Sequence, residues 1–218
     1  METAPSAFLF DLDGLLLDTE PIHGLAWSTA ARHYGAELTE RQLLSLRGRR
    51  RQDCAEQVDR WLPKSVGTEA LLRIQQPCAR ALLPQAAPMP GAQALVRYGL
   101  TNGIPMALVT SSSQQAVAFK AQPHAWLECI DTRIYGDDPD VQRGKPDAQP
   151  FLVAADRLGC QPTTCWAFED SEAGTTAALA AGCLVWVLDT AGPDRSEGNP
   201  RHVSTLKTVL DHLINKAG

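Results

Sequence analysis

Two aspartates separated by one residue follow the first apolar run of the chain. The run Ala7-Phe-Leu-Phe10 ends at Asp11-Leu12-Asp13-Gly14. Side chains alternate along an extended chain, so Asp11 and Asp13 share one side of it. Two close carboxylates repel unless a cation or a shared proton compensates, and Mg²⁺ is a hard cation that prefers oxygen ligands. The pair therefore predicts a magnesium site, although an Asp-rich turn after a strand would look the same.

Three further polar segments carry groups that suit phosphate chemistry. Thr110-Ser111-Ser112 follows the apolar run 105–109. Its hydroxyl and amide groups can hold phosphate oxygens, and the segment can also cap the next helix, because the two roles are compatible. Lys145 precedes a predicted helix and can neutralise phosphate and carboxylate charge. Glu169-Asp170 follows the run 165–168 and can complete a metal site with Asp11. Together, these segments predict phosphoryl transfer.

The elements between these segments alternate between strand and helix patterns. Short continuous apolar runs bounded by polar residues are typical of strands buried on both faces. Such runs occupy residues 7–10, 105–109, 165–168 and 184–188. Helical spacing of apolar residues occurs over residues 91–99, 148–158 and 172–181. The alternation predicts an α/β fold with a Rossmann-like parallel sheet.

Residues 18–85 contain no convincing strand and form a predicted all-α cap. The patterns predict helices over residues 21–34, from Thr39 onward, over 52–62, and over 68–83 with a bend at Pro77. Residues 84–91 are typical of a linker. The predicted division is an α/β catalytic core of residues 1–17 and 86–218, interrupted by a helical cap domain of residues 18–85.

Composition limits the classes of partner. The chain has 218 residues and a net charge of −5, which argues against a broad nucleic-acid surface. It shows no signal-peptide pattern and no apolar stretch long enough for a membrane span. Its six cysteines show no metal-binding spacing and indicate a reducing compartment. We expect a cytoplasmic monomer that binds neither nucleic acid nor membrane.

The four polar segments resemble the motifs of one enzyme family. The matching segments are Asp11-Leu-Asp-Gly-Leu-Leu-Leu-Asp-Thr-Glu20, Val109-Thr-Ser111, Arg143-Gly-Lys-Pro146 and Phe168-Glu-Asp-Ser-Glu-Ala-Gly174. They are similar to the four motifs of the haloacid dehalogenase-like hydrolase superfamily. The helical insert resembles the cap of its β-phosphoglucomutase and sugar-phosphatase branch.

The resemblance implies a role for each motif residue. Asp11 is then the nucleophile that forms an aspartyl-phosphate, and Asp13 is the general acid and base. Lys145 is the catalytic cation that stabilises charge near the transferring phosphoryl group. The remaining roles are phosphate binding by Thr110 and Ser111, and Mg²⁺ binding by Asp11, the Asp13 backbone carbonyl, Glu169 and Asp170.

The cap carries three further candidate residues. His23 lies one helical turn from Trp27, and in the relatives a histidine at this place helps to link the cap to the core. Arg47 and Arg51 match basic positions of a β-phosphoglucomutase segment that contacts the phosphate that is not transferred. The same arginine-rich segment could instead be a solvated turn, and no role is predicted for Arg49 or Arg50.

Three functions are compatible with these residues. The first is a Mg²⁺-dependent phosphatase for a small phosphorylated metabolite, either a sugar phosphate or a nucleotide-related ester. The second is a β-phosphoglucomutase-like isomerase, which would pass the phosphoryl group to a second substrate hydroxyl instead of to water. The third is a non-catalytic protein that binds phosphorylated metabolites.

Overall fold

The computed structural model describes residues 4–195 and 197–217. Over these residues the chain forms six β-strands and nine α-helices. The strands are β1 Ala7–Phe10, β2 Met106–Val109, β3 Thr132–Ile134, β4 Cys165–Glu169, β5 Leu184–Leu188 and β6 Arg201–Val203. The helices are α1 Glu20–His33, α2 Glu40–Leu46, α3 Arg51–Trp61, α4 Thr68–Leu82, α5 Ala92–Thr101, α6 Gln114–Ala121, α7 Gln149–Arg157, α8 Glu172–Ala180 and α9 Leu206–Ala217.

The six described strands form one parallel sheet in the order β3-β2-β1-β4-β5-β6. Strand β1 lies in the middle, where Phe8 pairs with Met106 of β2 and with Trp166 of β4. The strand order reverses direction at β1. In open α/β sheets, ligands bind outside the carboxyl ends of the strands at such a reversal. The predicted Rossmann-like α/β fold is confirmed.

Alternating side chains of each central strand enter two different apolar layers. Phe8 and Phe10 point into one layer, which is completed by residues of α5 and α9. Ala7 and Leu9 point into the other, which is completed by residues of α7 and α8. These two layers explain the continuous apolar runs in the sequence, because a sheet covered on both faces buries every residue of its central strands.

Helices α1 to α4 form the cap, which has an apolar cluster of its own. Trp27, Val58 and Leu71 are among the residues of this cluster, and each is less than 5% exposed. The four helices predicted in this part of the sequence are confirmed, with bounds shifted by at most one residue. Helix α4 continues as one helix through Pro77. The exact division between core and cap stays a proposal.

The two ends of the cap segment lie side by side. The amide of Asp18 donates to the carbonyl of Ala87 at 2.8 Å, and Leu17 pairs with Pro88. The amide of Met89 donates to the carbonyl of Leu16 at 3.0 Å. Residues 84–91, predicted as a linker, are therefore tied to the chain that follows β1.

Two β-strands and two α-helices of the described structure were not predicted from the sequence. Strands β3 and β6 have three residues each and lie at opposite edges of the sheet. Helix α6 follows the segment Thr110-Ser111, and helix α9 packs against α5. No described helix is long and apolar enough to cross a membrane, and all six cysteines are free thiols.

Replacing Phe8 by alanine should destabilise the core strongly. Phe8 is fully buried, and its ring lies 5.2 Å from that of Phe168 and 5.7 Å from that of Phe10. We expect Phe8→Ala to lower the free energy of unfolding by about 3–5 kcal/mol in urea titrations. The control Leu152→Ala, at a side chain 43% exposed, should cost less than about 1 kcal/mol. Equal losses in the two variants would contradict the assignment of Phe8 to the core.

Candidate active site

Three carboxylates meet at the carboxyl ends of β1 and β4. Asp11 follows β1, Glu169 ends β4, and Asp170 follows it. One carboxylate oxygen from each lies within 4.8 Å of the other two. Asp11 is 3% exposed and Glu169 is fully buried. Gly14 lies against Asp170 with a φ of +83°, and a Cβ there would sit 2.1 Å from an Asp170 oxygen.

Lys145 provides the positive charge that faces this cluster. Its Nζ donates to Asp11 Oδ1 at 2.5 Å, to Glu169 Oε1, and to the carbonyl oxygen of Val109 at 2.8 Å. The side chain is 2% exposed. The ammonium group thus donates three hydrogen bonds and connects the carboxyl ends of β1, β2 and β4.

One lysine does not balance three carboxylates. Burial raises the pKa of Asp11 to about 8 although Lys145 opposes this, and Glu169 and Asp13 raise it further. Burial, followed by the charges of Asp11 and Glu20, also raises the pKa of Asp170 well above its usual range. A cation among these oxygens would relieve the repulsion. Three carboxylates at this spacing fit the oxygen preference of Mg²⁺.

Asp13 lies beside this cluster and is held by four side chains. Its Oδ1 accepts from Thr19 Oγ1 at 2.7 Å and lies 3.2 Å from His23 Nε2. Its Oδ2 accepts from Ser112 Oγ at 2.8 Å, and Lys120 Nζ contacts both oxygens. Burial opposes ionisation, but the charges of Lys120 and His23 outweigh it and hold the pKa of Asp13 well below its usual range.

Sequence reasoning missed Lys120, and it gave Ser112 no role of its own. Ser112 directly follows Thr110-Ser111, so its place beside the motif was a usable signal. Lys120 is 107 positions from Asp13 in the chain and lies on α6, a helix that was not predicted. Lysines are almost always exposed unless they are paired, so a lone lysine gave no signal.

Thr110 and Ser111 lie at the end of β2 and line a cavity of about 260 Å³ above the carboxylates. Thr110 is 4% exposed, and its Oγ1 accepts from the amide of Ser112 at 3.1 Å. Ser111 Oγ donates to the carbonyl of Gly48 in the cap at 2.7 Å. The helix cap of α6 is Ser113, whose hydroxyl accepts from the amide of Ala116. The expectation that residues 110–112 cap this helix is therefore wrong.

The arginine-rich segment of the cap faces the same cavity. Arg47 and Arg51 both line it, and Arg47 Nε is paired with Glu20 at 2.9 Å. Arg49 also lines it and is largely exposed. Arg50 reaches across to the core, where it donates to the carbonyl of Val141 at 2.8 Å.

Seven predicted site residues line this cavity: Asp11, Asp13, His23, Arg47, Arg51, Thr110 and Ser111. Lys145, Glu169 and Asp170 lie next to Asp11. The roles of all ten residues stay predictions.

Comparison with known proteins agrees with this geometry. The model of the family described as haloacid dehalogenase-like hydrolase matches residues 5–182. The chain belongs to this family. The match contains all four motif segments, from Asp11 to Asp170. The predicted class, a hydrolase of phosphoric monoesters with this fold, is confirmed.

Curated relatives of similar length are phosphatases. The chain is 34% identical over 206 residues to a Drosophila melanogaster protein named "Probable pseudouridine-5'-phosphatase", covering 93% of this chain and 88% of that protein. It is 32% identical over 178 residues to the fructose-1-phosphate phosphatase of Escherichia coli K12, covering 81% and 93%. It is 34% identical over 191 residues to hexitol phosphatase A of the same bacterium, covering 82% and 80%.

Solved structures share the whole architecture. The chain superposes on β-phosphoglucomutase from Clostridium difficile with a TM-score of 0.82, at 22% identity, covering 97% of this chain and 96% of that one. It superposes on CbbY from Rhodobacter sphaeroides, solved with phosphate, with a TM-score of 0.72 at 25% identity, covering 93% and 95%. The first likeness concerns the fold alone.

Replacing Gly48 by alanine should keep the cap from seating on the core. Gly48 has a φ of +72°, and a Cβ there would lie 2.1 Å from Ser171 Oγ. The cap segment would have to withdraw, so kcat/KM for p-nitrophenyl phosphate should fall about tenfold or more.

The matched control for this prediction is Gly35→Ala. Gly35 has a φ of +81° with nothing within 4 Å of a Cβ, so it carries the same backbone strain without the collision. Both variants should lose about 1 kcal/mol of unfolding free energy. Equal kcat/KM values in the two variants would contradict a seated cap segment.

Proposed function

We propose that this enzyme hydrolyses the phosphate monoester of a small hydroxylated metabolite, with Mg²⁺, through an aspartyl-phosphate on Asp11. One observation carries the proposal. The buried carboxylate of Asp11 lines a cavity together with Thr110 and Ser111, and Lys145, Glu169 and Asp170 lie next to this carboxylate. This set supplies a nucleophile, a phosphate cradle and charge neutralisation in one place.

In the first step, a carboxylate oxygen of Asp11 attacks phosphorus and the ester P–O bond breaks. The departing alkoxide takes a proton from Asp13, so that a neutral alcohol leaves. This step requires the low pKa of Asp13 to rise in the substrate complex, where the bound phosphate dianion disfavours a second negative charge. Lys145 lies against Asp11 and lowers the repulsion between this carboxylate and the dianionic ester. The hydroxyl of Thr110 and the amide of Ser111 hold the phosphoryl oxygens.

In the second step, water attacks phosphorus of the aspartyl-phosphate. Asp13, now ionised, takes the proton from this water, and the bond between phosphorus and the Asp11 oxygen breaks. Inorganic phosphate leaves, and both aspartates regain their starting state. One residue thus serves as acid and then as base, which requires its carboxyl group to stay at the reacting face throughout.

Asp11, Glu169, Asp170 and the Asp13 carbonyl are the groups that would hold Mg²⁺. The bound cation would supply charge neutralisation between the phosphate and the three carboxylates. The raised pKa of Asp11, about 8, supports a cation requirement. A protonated Asp11 would be a poor nucleophile, and a nearby cation favours its ionised form.

The relatives support a hydroxylated substrate. Their names include phosphatases of fructose-1-phosphate, hexitols and glycerol-3-phosphate. Fructose-1-phosphate and glycerol-3-phosphate are phosphate esters of small chains rich in hydroxyl groups, and hexitols are such chains themselves. A phosphatase is favoured over a mutase because these curated relatives are phosphatases, whereas the C. difficile β-phosphoglucomutase likeness, at 22% identity, extends to the fold alone.

Replacing Asp11 by asparagine should abolish phosphate release. Asparagine keeps the shape of the side chain but is no nucleophile, so we expect a loss of at least about 1,000-fold in kcat. The assay is phosphate release from a panel of sugar, polyol and nucleoside phosphates, with Mg²⁺ and with EDTA. Activity in wild type should require Mg²⁺.

The matched control is Asp156→Asn, at an exposed aspartate of α7. It should retain wild-type rates. Mass spectrometry of acid-quenched wild type during turnover should detect a phosphorylated Asp11. Full activity of Asp11→Asn, or full activity in EDTA, would refute the proposed chemistry.

A further inference from the structure

We propose that Lys120 is a positioning residue that holds the carboxylate of Asp13 at the reacting face from the core side. The proposal rests on the function proposed above. Lys120 is fully buried on α6, and its Nζ contacts both carboxylate oxygens of Asp13 and Ser112 Oγ, the latter at 2.9 Å. None of the four family motifs in this sequence contains it.

A fully buried lysine without a function is hard to explain here. Burying an ammonium group is costly unless it is paired, and a surface location would avoid the cost. The neighbouring residues of α6, Val117 and Ala121, are apolar and belong to the buried cluster, so an apolar side chain would also suit position 120. The lysine instead spans from α6 to a catalytic carboxylate that follows β1.

The partners of Asp13 fall into two groups. His23 belongs to cap helix α1, and Thr19 lies at the start of that helix. Lys120 and Ser112 belong to the core, with Ser112 just after β2. Entry of substrate and release of product require the cap to move, and the histidine moves with it. The core pair keeps the carboxylate oriented while the cap partners leave and return.

The role predicts an effect that depends on the leaving group. An alkoxide needs a proton from Asp13 as it departs, whereas p-nitrophenolate is stable without one. Misorienting Asp13 should therefore slow transfer from an alkyl phosphate and spare transfer from p-nitrophenyl phosphate. A merely structural role would slow both esters equally.

The first test measures the rate of phosphoryl transfer by Lys120→Met under single-turnover conditions. Mg²⁺ is present and the enzyme is in excess over the substrate. The alkyl probe is the faster of glycerol 3-phosphate and ribose 5-phosphate with wild type. We expect release of its alcohol to slow about 30-fold or more, and release of p-nitrophenolate to slow less than about threefold. Equal slowing of the two esters would overturn the proposal.

The second test is a double-mutant cycle with Asp13→Asn. If Lys120 acts through Asp13, adding Lys120→Met to Asp13→Asn should change the residual rate less than about twofold. This pair removes both charges together, so it remains informative if Lys120→Met alone fails to fold. A full second loss would overturn the positioning role. Wild-type inactivity with both esters would instead refute the proposed function.

A different observation identifies a contact to the substrate. We infer that Gln75 accepts a hydrogen bond from a hydroxyl of the substrate, in the part that carries no phosphate. Gln75 is 1% exposed and lines the active-site cavity, and its Oε1 has no hydrogen-bond partner among the described residues. Such orphaned acceptors are rare because an unpaired buried amide costs free energy.

The position of Gln75 on its helix also supports a role in substrate binding. It lies between Leu71 and Ala79 on the buried face of α4, where the spacing favours an apolar residue. Trp27 and Cys54 line the same part of the cap.

Arg47 and Arg51 line the cavity as well, and as cations they repel a charged donor group of the substrate. A neutral hydroxyl group is a donor that fits the unpaired oxygen of Gln75. We therefore expect a phosphate monoester whose carbon chain carries hydroxyl groups.

The test compares hydroxylated esters with an alkyl ester that lacks the hydroxyls. Wild type should prefer the best of glycerol 3-phosphate, ribose 5-phosphate and sorbitol 6-phosphate over propyl phosphate about tenfold or more in kcat/KM. Gln75→Leu should remove most of this preference by lowering kcat/KM for the hydroxylated ester, and should raise the melting temperature. The control Gln76→Leu, at the exposed neighbour, should keep the preference.

Two results would overturn the role of Gln75. One is a wild-type kcat/KM for propyl phosphate that equals the value for the hydroxylated esters. The other is a Gln75→Leu variant that keeps the wild-type preference. p-Nitrophenyl phosphate separates this failure from a failure of the proposed function. If wild type hydrolyses this ester and Asp11→Asn does not, the proposed chemistry holds whatever the role of Gln75.

Discussion

Crowding of carboxylates at one edge of the sheet is the constraint on which the rest of the structure depends. Asp11, Glu169 and Asp170 are close enough to repel strongly, and burial adds to the cost. Lys145 relieves part of this repulsion because β1, β2 and β4 end side by side, which brings its partners within reach. The excess negative charge that remains favours the divalent cation proposed for this site. Parallel strands that all end at one edge are the simplest way to create such a concentration of charge.

Lys145 and Lys120 are two neighbouring buried lysines, and the carboxylates that they contact have pKa values shifted in opposite directions. Lys145 is shared between Asp11 and Glu169, and the pKa of Asp11 is still raised to about 8. Lys120 lies between both oxygens of Asp13, and the pKa of that carboxyl is held low. Two aspartates separated by one residue thus have opposite environments. The low pKa of Asp13 suits its proposed duty as a base, whereas the raised pKa of Asp11 means that its proposed duty as a nucleophile requires a nearby cation.

The sequence was sufficient for the groups whose pattern is local. Continuous apolar runs predicted the central strands, because these are buried on both faces, and the polar residues after each run predicted most of the site. Edge strand β3 has only three residues, two of them partly exposed, so it lacks such a run. Lys120 could not be predicted because its meaning comes from a contact 107 positions away. Gln75 looked like an ordinary polar helix residue, and only the packing of α4 against its neighbours shows that its amide is enclosed.

The joined ends of the cap segment have a consequence for how this architecture diversifies. Asp18 and Ala87 are hydrogen-bonded neighbours, so nearly seventy residues leave and re-enter the core through one narrow neck. A segment inserted at such a point adds little strain to the sheet, because the distance between its ends is already fixed. Substitutions in helices α1 to α4 can therefore reshape the chamber above the reacting carboxylates without moving the carboxylates themselves. Selection for a new metabolite can act on one module while the phosphoryl chemistry is inherited intact by the other.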